Sequence, residues 1–175
     1  VVDVRAAEPD DAALLHRLAA TTFALACPPH TTPQAIEDFI ATTLSEASFA
    51  AYLVDPQRAL FVADDHGVAA GYTMIVFGEP KDADAAAAIT VRPAAELSKI
   101  YVLEGHHGKG VAAALMERSL EAARERGART IWLGVNQENE RANRFYEKQG
   151  FERVGTKHFL VGDRYEDDFV MERTF

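Results

Sequence analysis

The stretch Ile100-Tyr101-Val102-Leu103-Glu104-Gly105-His106-His107-Gly108-Lys109-Gly110-Val111-Ala112 decides the fold. An apolar strand runs into a glycine turn, and a helix leaves the turn. Val111, Leu115, Met116, Leu120 and Ala123 share one face of that helix, and Gly127 is placed to stop it. A helix start leaves about four backbone N–H groups without intrahelical partners. Glycines let a ligand approach the backbone, and the helix N-terminus carries partial positive charge. A strand, a glycine turn and a helix in this order suit a phosphate. A magnesium-linked phosphate loop needs Ser or Thr directly after its lysine. Here Gly110 follows Lys109. The dinucleotide fingerprint G-x-G-x-x-G is also absent, because the order Gly105-x-x-Gly108-x-Gly110 reverses it. A plain strand-to-helix turn is the bland alternative.

Upstream, Val2–Ala6 reads as a short strand, and Pro9-Asp10-Asp11 opens a helix carrying Leu14, Leu15, Leu18 and Thr22. Pro28-Pro29 stops it. Thr32-Pro33 starts a second helix with Ile36, Phe39, Ile40 and Leu44 on one face, and Phe49, Tyr52 and Leu53 suggest a further helical turn. Leu60–Ala63 and Val68–Phe77 flank the turn signal Asp64-Asp65-His66-Gly67. Gly78–Ala94 reads as a long loop, and Leu97–Leu103 as a central strand covered on both faces. Downstream, Thr130–Val135 is a strand and Arg141–Gln149 a helix. Phe151–Val154 opens another strand, and His158–Val161 with Asp168–Arg173 forms a closing hairpin around Gly162-Asp163. The order implies one α/β domain over residues 1–175 with a mixed sheet.

The chain has 175 residues, the size of one domain at roughly 100–200 residues each. Its 18 Lys and Arg against 27 Asp and Glu leave a formal net charge of −9, which argues against nucleic acid and anionic membrane as partners. No apolar run approaches the ~18 residues of a membrane span, and the first residues do not read as a signal peptide. The single cysteine, Cys27, fits a reducing cytoplasm and excludes a cysteine-built zinc site. The six histidines show no metal-ligand spacing, so no metal is expected.

A second constellation follows: Asn136-Gln137-Glu138-Asn139-Glu140-Arg141-Ala142-Asn143-Arg144-Phe145-Tyr146-Glu147-Lys148-Gln149-Gly150-Phe151. With the glycine turn it resembles the GNAT family of acetyl-CoA-dependent N-acetyltransferases. The family turn (Gln or Arg)-x-x-Gly-x-(Gly or Ala) falls on His107-Gly108-Lys109-Gly110-Val111-Ala112, with His107 departing from the first position. The family's Asn-x-x-Ala-x-x-(Phe or Leu)-Tyr-x-x-x-Gly-Phe falls on Asn139, Ala142, Phe145, Tyr146, Gly150 and Phe151. The resemblance implies a mixed, mostly antiparallel sheet of about six to seven strands flanked by helices. It also implies acetyl transfer from acetyl-CoA to a primary amine.

By the same resemblance, His107, Gly108, Lys109, Gly110, Val111 and Ala112 bind the coenzyme pyrophosphate, Val102 holds the thioester oxygen and Leu103 adjoins it. Asn136, Asn139 and Asn143 lie along the pantetheine arm, Asn139 alternatively being a helix cap. Tyr146 is the general acid for the leaving thiolate. Glu96 is the first choice of general base, with Ser98 on the same side of the strand by period two. Glu104, His106 and His158 are weaker polar candidates. A narrower resemblance links Glu96-x-x-Lys99-Ile100-Tyr101-Val102, Ile131-Trp132-Leu133-Gly134-Val135 and Gly162-Asp163 to bacterial spermidine/spermine acetyltransferases of the PaiA type. It implies a polyamine acceptor, held by acids of the final hairpin and of the Glu79–Asp84 segment if these line one cleft. The rivals are a longer acyl-CoA donor, another small amine or a protein amine, and a non-catalytic coenzyme-A-binding regulator. A homodimer is possible.

Overall fold

Each strand and helix begins where a local signal permits it, and the sheet collects them. The computed structural model describes residues 1–108 and 110–175. Strand β1 (Val2–Ala6) pairs antiparallel with β2 (Arg58–Asp65), and β2 turns through His66-Gly67 into β3 (Val68–Phe77). Between β1 and β2 lie helices α1 (Ala12–Ala26), α2 (Pro33–Thr42) and α3 (Glu46–Val54). The hydroxyl of Thr32 accepts from Ala35 N–H and that of Ser45 from Ser48 N–H, each satisfying one orphan donor of a helix start. After β3 come α4 (Ala83–Ala88), β4 (Ala94–Val102), α5 (Val111–Glu125), β5 (Thr130–Asn136), α6 (Glu140–Lys148), β6 (Glu152–Val161) and β7 (Arg164–Thr174).

The seven strands form one sheet in the order β1-β2-β3-β4-β5-β7-β6. Every pairing is antiparallel except β4 with β5, and that parallel pairing covers only Ala94–Thr130, Ala95–Ile131 and Glu96–Trp132. This is the α/β architecture expected of the GNAT fold. One face of the sheet packs against α5 and α6 through Leu97, Val102, Leu115, Met116, Leu133 and Tyr146. The other face carries two separate apolar clusters. Helices α1 and α3 bury Leu15, Phe49, Tyr72 and Met74, while α4 buries Ala85 and Ile89 against Trp132 and Val170.

Three expectations change. The segment Gly78–Ala94 is not all loop: Asp82 caps α4 through Ala85 N–H at 3.0 Å, and the alanines behind it form the helix. Strand β4 starts at Ala94 rather than Leu97. Phe151–Val154 and His158–Val161 are not two strands, because β6 runs unbroken from Glu152 to Val161 with one register shift between Arg153 and Gly155.

A register shift also interrupts β3–β4: Ile75 faces Leu97 and Met74 faces Lys99, so Ser98 is the extra residue of a bulge. A bulge leaves one residue unpaired and bends its strand. It lies two residues beyond Glu96, where pairing to β5 ends. Beyond it β4 depends on β3, and there the approach is close. A Cβ on Gly71 would stand 2.7 Å from the Tyr101 carbonyl oxygen and 3.1 Å from Leu115 Cδ1. Gly71→Ala is therefore expected to destabilise the fold by about 1–3 kcal/mol, the usual cost of overpacking. Urea unfolding against wild type would measure it; an unchanged midpoint would contradict the close approach.

Candidate active site

The parting of β4 from β5 opens a wedge in the middle of the sheet. Successive amides of a strand point to opposite sides. Leu103 N–H donates to Ala70 O at 2.8 Å, toward β3. The preceding amide, that of Val102, is thereby turned toward the wedge. Leu103 itself has no spare backbone group, since its carbonyl accepts from His106 N–H at 3.1 Å.

Beyond Leu103 the chain crosses the glycine turn to α5. Gly105, Gly108 and Gly110 have φ of +88°, +79° and +83°, the left-handed region in which a side chain is strained, and nothing lies within 4 Å of a Cβ built on them. Gly110 is the N-cap of α5 and supplies no side-chain hydrogen bond to the helix start. Val111 is buried and Ala112 half-buried. The result is an open cradle of backbone with an uncapped helix N-terminus, which suits an anionic ligand. His107 follows, its ring pushed below the usual imidazole range first by burial and then by Arg141. Lys109 lies outside the described residues.

The asparagines of the second constellation build the β5–α6 turn. Asn139 Oδ1 caps α6 by accepting from Ala142 N–H at 3.1 Å, and Asn136 Oδ1 accepts from Glu138 N–H at 2.9 Å. Asn143 Nδ2 donates to the carbonyls of Asn139 at 2.7 Å and Asn136 at 3.1 Å, while its buried Oδ1 has no partner. An orphaned acceptor is costly to bury and suits a ligand N–H. Tyr146, one helical turn on, is buried between Phe145 and Phe151, ring centroids 5.6 and 5.9 Å away. Burial pushes its phenol well above the usual tyrosine range, so the hydroxyl stays protonated.

On the other face, between the two apolar clusters, charged side chains collect in a strip. The bulge changes which residues share it. Ala95, Leu97, Ile100 and Val102 pack with the α5 core, whereas Tyr101 and Leu103 pack with α1 and α3. Glu96 is therefore joined by Lys99 and Tyr101, not by Ser98 in simple alternation. Burial raises the Glu96 carboxyl against the opposing pull of Lys157 and Lys99. Burial also lowers the Lys99 ammonium to about 8, with Glu96 opposing, and pushes the Tyr101 phenol up to about 12.

The acids of the final hairpin do not form one open acidic cleft. Asp168 is 6 % exposed, with Lys157 Nζ 3.8 Å away, and Lys157 also stands 4.0 Å from Asp82. Glu166 is buried and takes His30 Nε2 at 2.5 Å. Asp163 and Asp167 are exposed, with His158 3.2 Å from Asp167, and Glu79 pairs with Arg92 at 2.9 Å. Glu104 is exposed. The contact of His30 with Glu166 spans 136 residues of sequence, and no spacing rule reveals it. Glu138 lies 3.9 Å from the other ring nitrogen, Nδ1, so the imidazole faces a different carboxylate with each nitrogen. Cys27 at the end of α1 is half-buried, and burial then Glu166 hold its thiol up at about 11, far from a reactive thiolate. Among the described residues no helix is long and apolar enough to cross a membrane.

A sheet parted beside an uncapped helix, with an asparagine-built turn across the gap, is the architecture of a coenzyme-binding acyltransferase. Residues 20–151 match the Acetyltransferase (GNAT) family, and the chain belongs to it. It is a GNAT-type N-acetyltransferase. An uncharacterized N-acetyltransferase of Mycobacterium tuberculosis is 47% identical over 163 residues, covering 93% of this chain and 97% of that protein. Among solved structures, the PaiA N-acetyltransferase of Thermoplasma acidophilum, in complex with coenzyme A, superposes with a TM-score of 0.78 at 18% identity over 100% of this chain and 99% of its own. A spermidine N-acetyltransferase SpeG chimera from Vibrio cholerae and hSSAT gives 0.68 at 22% identity over 99% and 95%. At these identities the two structures speak for the fold.

The buried Asp168 carboxyl gives a pH test. Burial raises it from 3.8 to about 6, with Lys157 opposing. A carboxyl raised on folding adds stability below its unfolded pKa, and that contribution is lost as pH rises through the folded one. Asp168→Asn should therefore gain a few degrees of Tm on wild type between pH of about 4 and about 7. A Tm difference independent of pH would contradict the assignment.

Proposed function

We propose that the protein transfers the acetyl group of acetyl-CoA directly to a small primary amine bound in the parted sheet, with a polyamine as acceptor. The observation that carries this is the wedge itself: β4 leaves β5 after Glu96, the Val102 amide is turned away from β3, the phenol of Tyr146 is buried on α6, and α5 starts uncapped at Gly110. His107, Gly108, Gly110, Val111 and Ala112, together with Lys109, hold the coenzyme pyrophosphate. Asn136, Asn139 and Asn143 line the path of the pantetheine arm, and the orphaned Oδ1 of Asn143 accepts one of its amide hydrogens.

The chemistry follows from what each group can do. Only the neutral amine is a nucleophile, and an alkylammonium holds its proton to a pKa of about 10.4. Glu96 takes that proton, directly or through water; its carboxyl, raised by burial, is better matched to a proton near neutral pH than an exposed glutamate. The amine attacks the thioester carbonyl, whose oxygen gains negative charge as the tetrahedral centre forms. Val102 N–H donates to it from a fixed position. Collapse expels the coenzyme thiolate, which takes its proton from Tyr146. Burial holds the phenol protonated, and the same low-dielectric surroundings disfavour a thiolate, which favours passing the proton to sulfur.

A polyamine reading is supported by the acids of the strip and by the spermidine acetyltransferase among the fold neighbours. A second reading is favoured by Lys99 and Lys157. Two ammonium groups among those acids suit an amine that also bears a carboxylate, such as an amino-acid derivative.

Thiol release from acetyl-CoA against spermidine, spermine, putrescine, amino acids, aminoglycosides and short peptides separates the two. Spermidine turnover supports the first reading, and turnover confined to carboxylate-bearing amines supports the second. Tyr146→Phe should lower kcat by about 10²–10⁴-fold, the range of one general acid, with coenzyme affinity retained. Tight coenzyme binding with no thiol released from any amine would point instead to a binding-only role.

A further inference from the structure

The described residues of the glycine turn contribute few hydrogen bonds of their own. Gly105 and Gly108 are in the left-handed region with open space around them, and Gly110 caps α5 with backbone alone. Among the described residues of the turn, one backbone-to-backbone bond closes, from His106 N–H to Leu103 O at 3.1 Å. The His106 side chain, however, leaves the turn. Its Nδ1–H donates to Asp65 Oδ2 at 2.8 Å. Because an ionised carboxylate only accepts, the bond fixes which ring nitrogen carries the proton.

Asp65 belongs to a different part of the sheet. It ends β2, registers with Val2 of β1 and Val68 of β3, and is 4 % exposed. Its second oxygen accepts from His66 Nδ1 at 2.8 Å. These two imidazoles hold the carboxyl below the usual range, His106 first. Among the described residues, no other side-chain hydrogen bond ties the turn to the β2–β3 hairpin.

We propose that Asp65 and His106 form a positioning pair for the coenzyme turn. The buried carboxylate grips the His106 ring and sets the shape in which the Gly105–Gly108 backbone meets the diphosphate of the coenzyme. The pair touches neither the thioester nor the amine; it acts by keeping the turn in its binding-competent form before the ligand arrives. This rests on the coenzyme reading above. A turn that is competent only part of the time weakens coenzyme affinity by that fraction and leaves the chemical step alone.

Calorimetric titration of coenzyme A into wild type, His106→Ala and His106→Asn tests it, with steady-state kinetics alongside. The Asn side-chain N–H stands close to where imidazole Nδ1–H does. His106→Ala is expected to raise the coenzyme Kd and the acetyl-CoA KM about tenfold, with kcat and the amine KM within about twofold; His106→Asn should return most of the affinity. Amide exchange in residues 104–108 should quicken in the Ala variant while β2 and β3 keep their protection. Asp65→Asn, which retains the shape and removes the charge, should weaken coenzyme binding in the same direction, and serves if the Ala variant does not fold. Wild-type affinity in His106→Ala, or equal losses in the Ala and Asn variants, would overturn the pair alone. Failure of wild type to bind coenzyme A at all would overturn the coenzyme reading and the pair with it.

Discussion

Everything at this site depends on one extra residue in β4. Ser98 stands opposite no partner on β3, and the parallel pairing of β4 with β5 ends two residues earlier, at Glu96 and Trp132. A bulge bends and twists its strand, and here the bend falls where the neighbouring strand is lost. An unpaired strand edge inside a sheet is expensive, because its amides and carbonyls still require partners. The parted edge beyond Glu96 is such an edge, facing a gap with α5 at one end and the β5–α6 turn across it. In the proposed complex, a ligand with amide groups along its length would satisfy it in the way a missing strand would.

The same slip sorts the two faces of the strand. Leu97, Ile100 and Val102 go to the α5 side, while Glu96, Lys99 and Tyr101 go to the side of α1 and α4. On the proposed reading, coenzyme features and acceptor features sit on opposite sides of one thin layer of backbone. The reacting carbonyl need only lie in the opening between them. The charged strip persists because the apolar surface on that side divides into two clusters, one under α1 and α3 and one under α4. Where they fail to meet, charges can be buried in mutual contact rather than alone.

Features carried by local sequence were legible. The glycine turn, the α5 periodicity and the Asn139–Phe151 run each depend on residues a few positions apart, and each formed the expected element. Helix α4 was hidden because six residues are too few to show a period, and Gly78, Pro80 and Pro93 around it speak for loop. The bulge was hidden for another reason: a register slip is a property of two strands, and nothing in β4 alone marks Ser98 as the extra residue. Long-range polar contacts were out of reach altogether. His30 with Glu166 and Asp65 with His106 are 136 and 41 residues apart, and only the folded sheet brings them together.

Lys99 at about 8 and Asp168 at about 6 lie on either side of neutrality. Burial drives both shifts, lowering the ammonium and raising the carboxyl toward the same range. Turning an ammonium and a thioester into an amide and a thiol liberates one proton per cycle. Acetylation beside this strip, as proposed, would release that proton near carboxyls that burial makes readier to accept it.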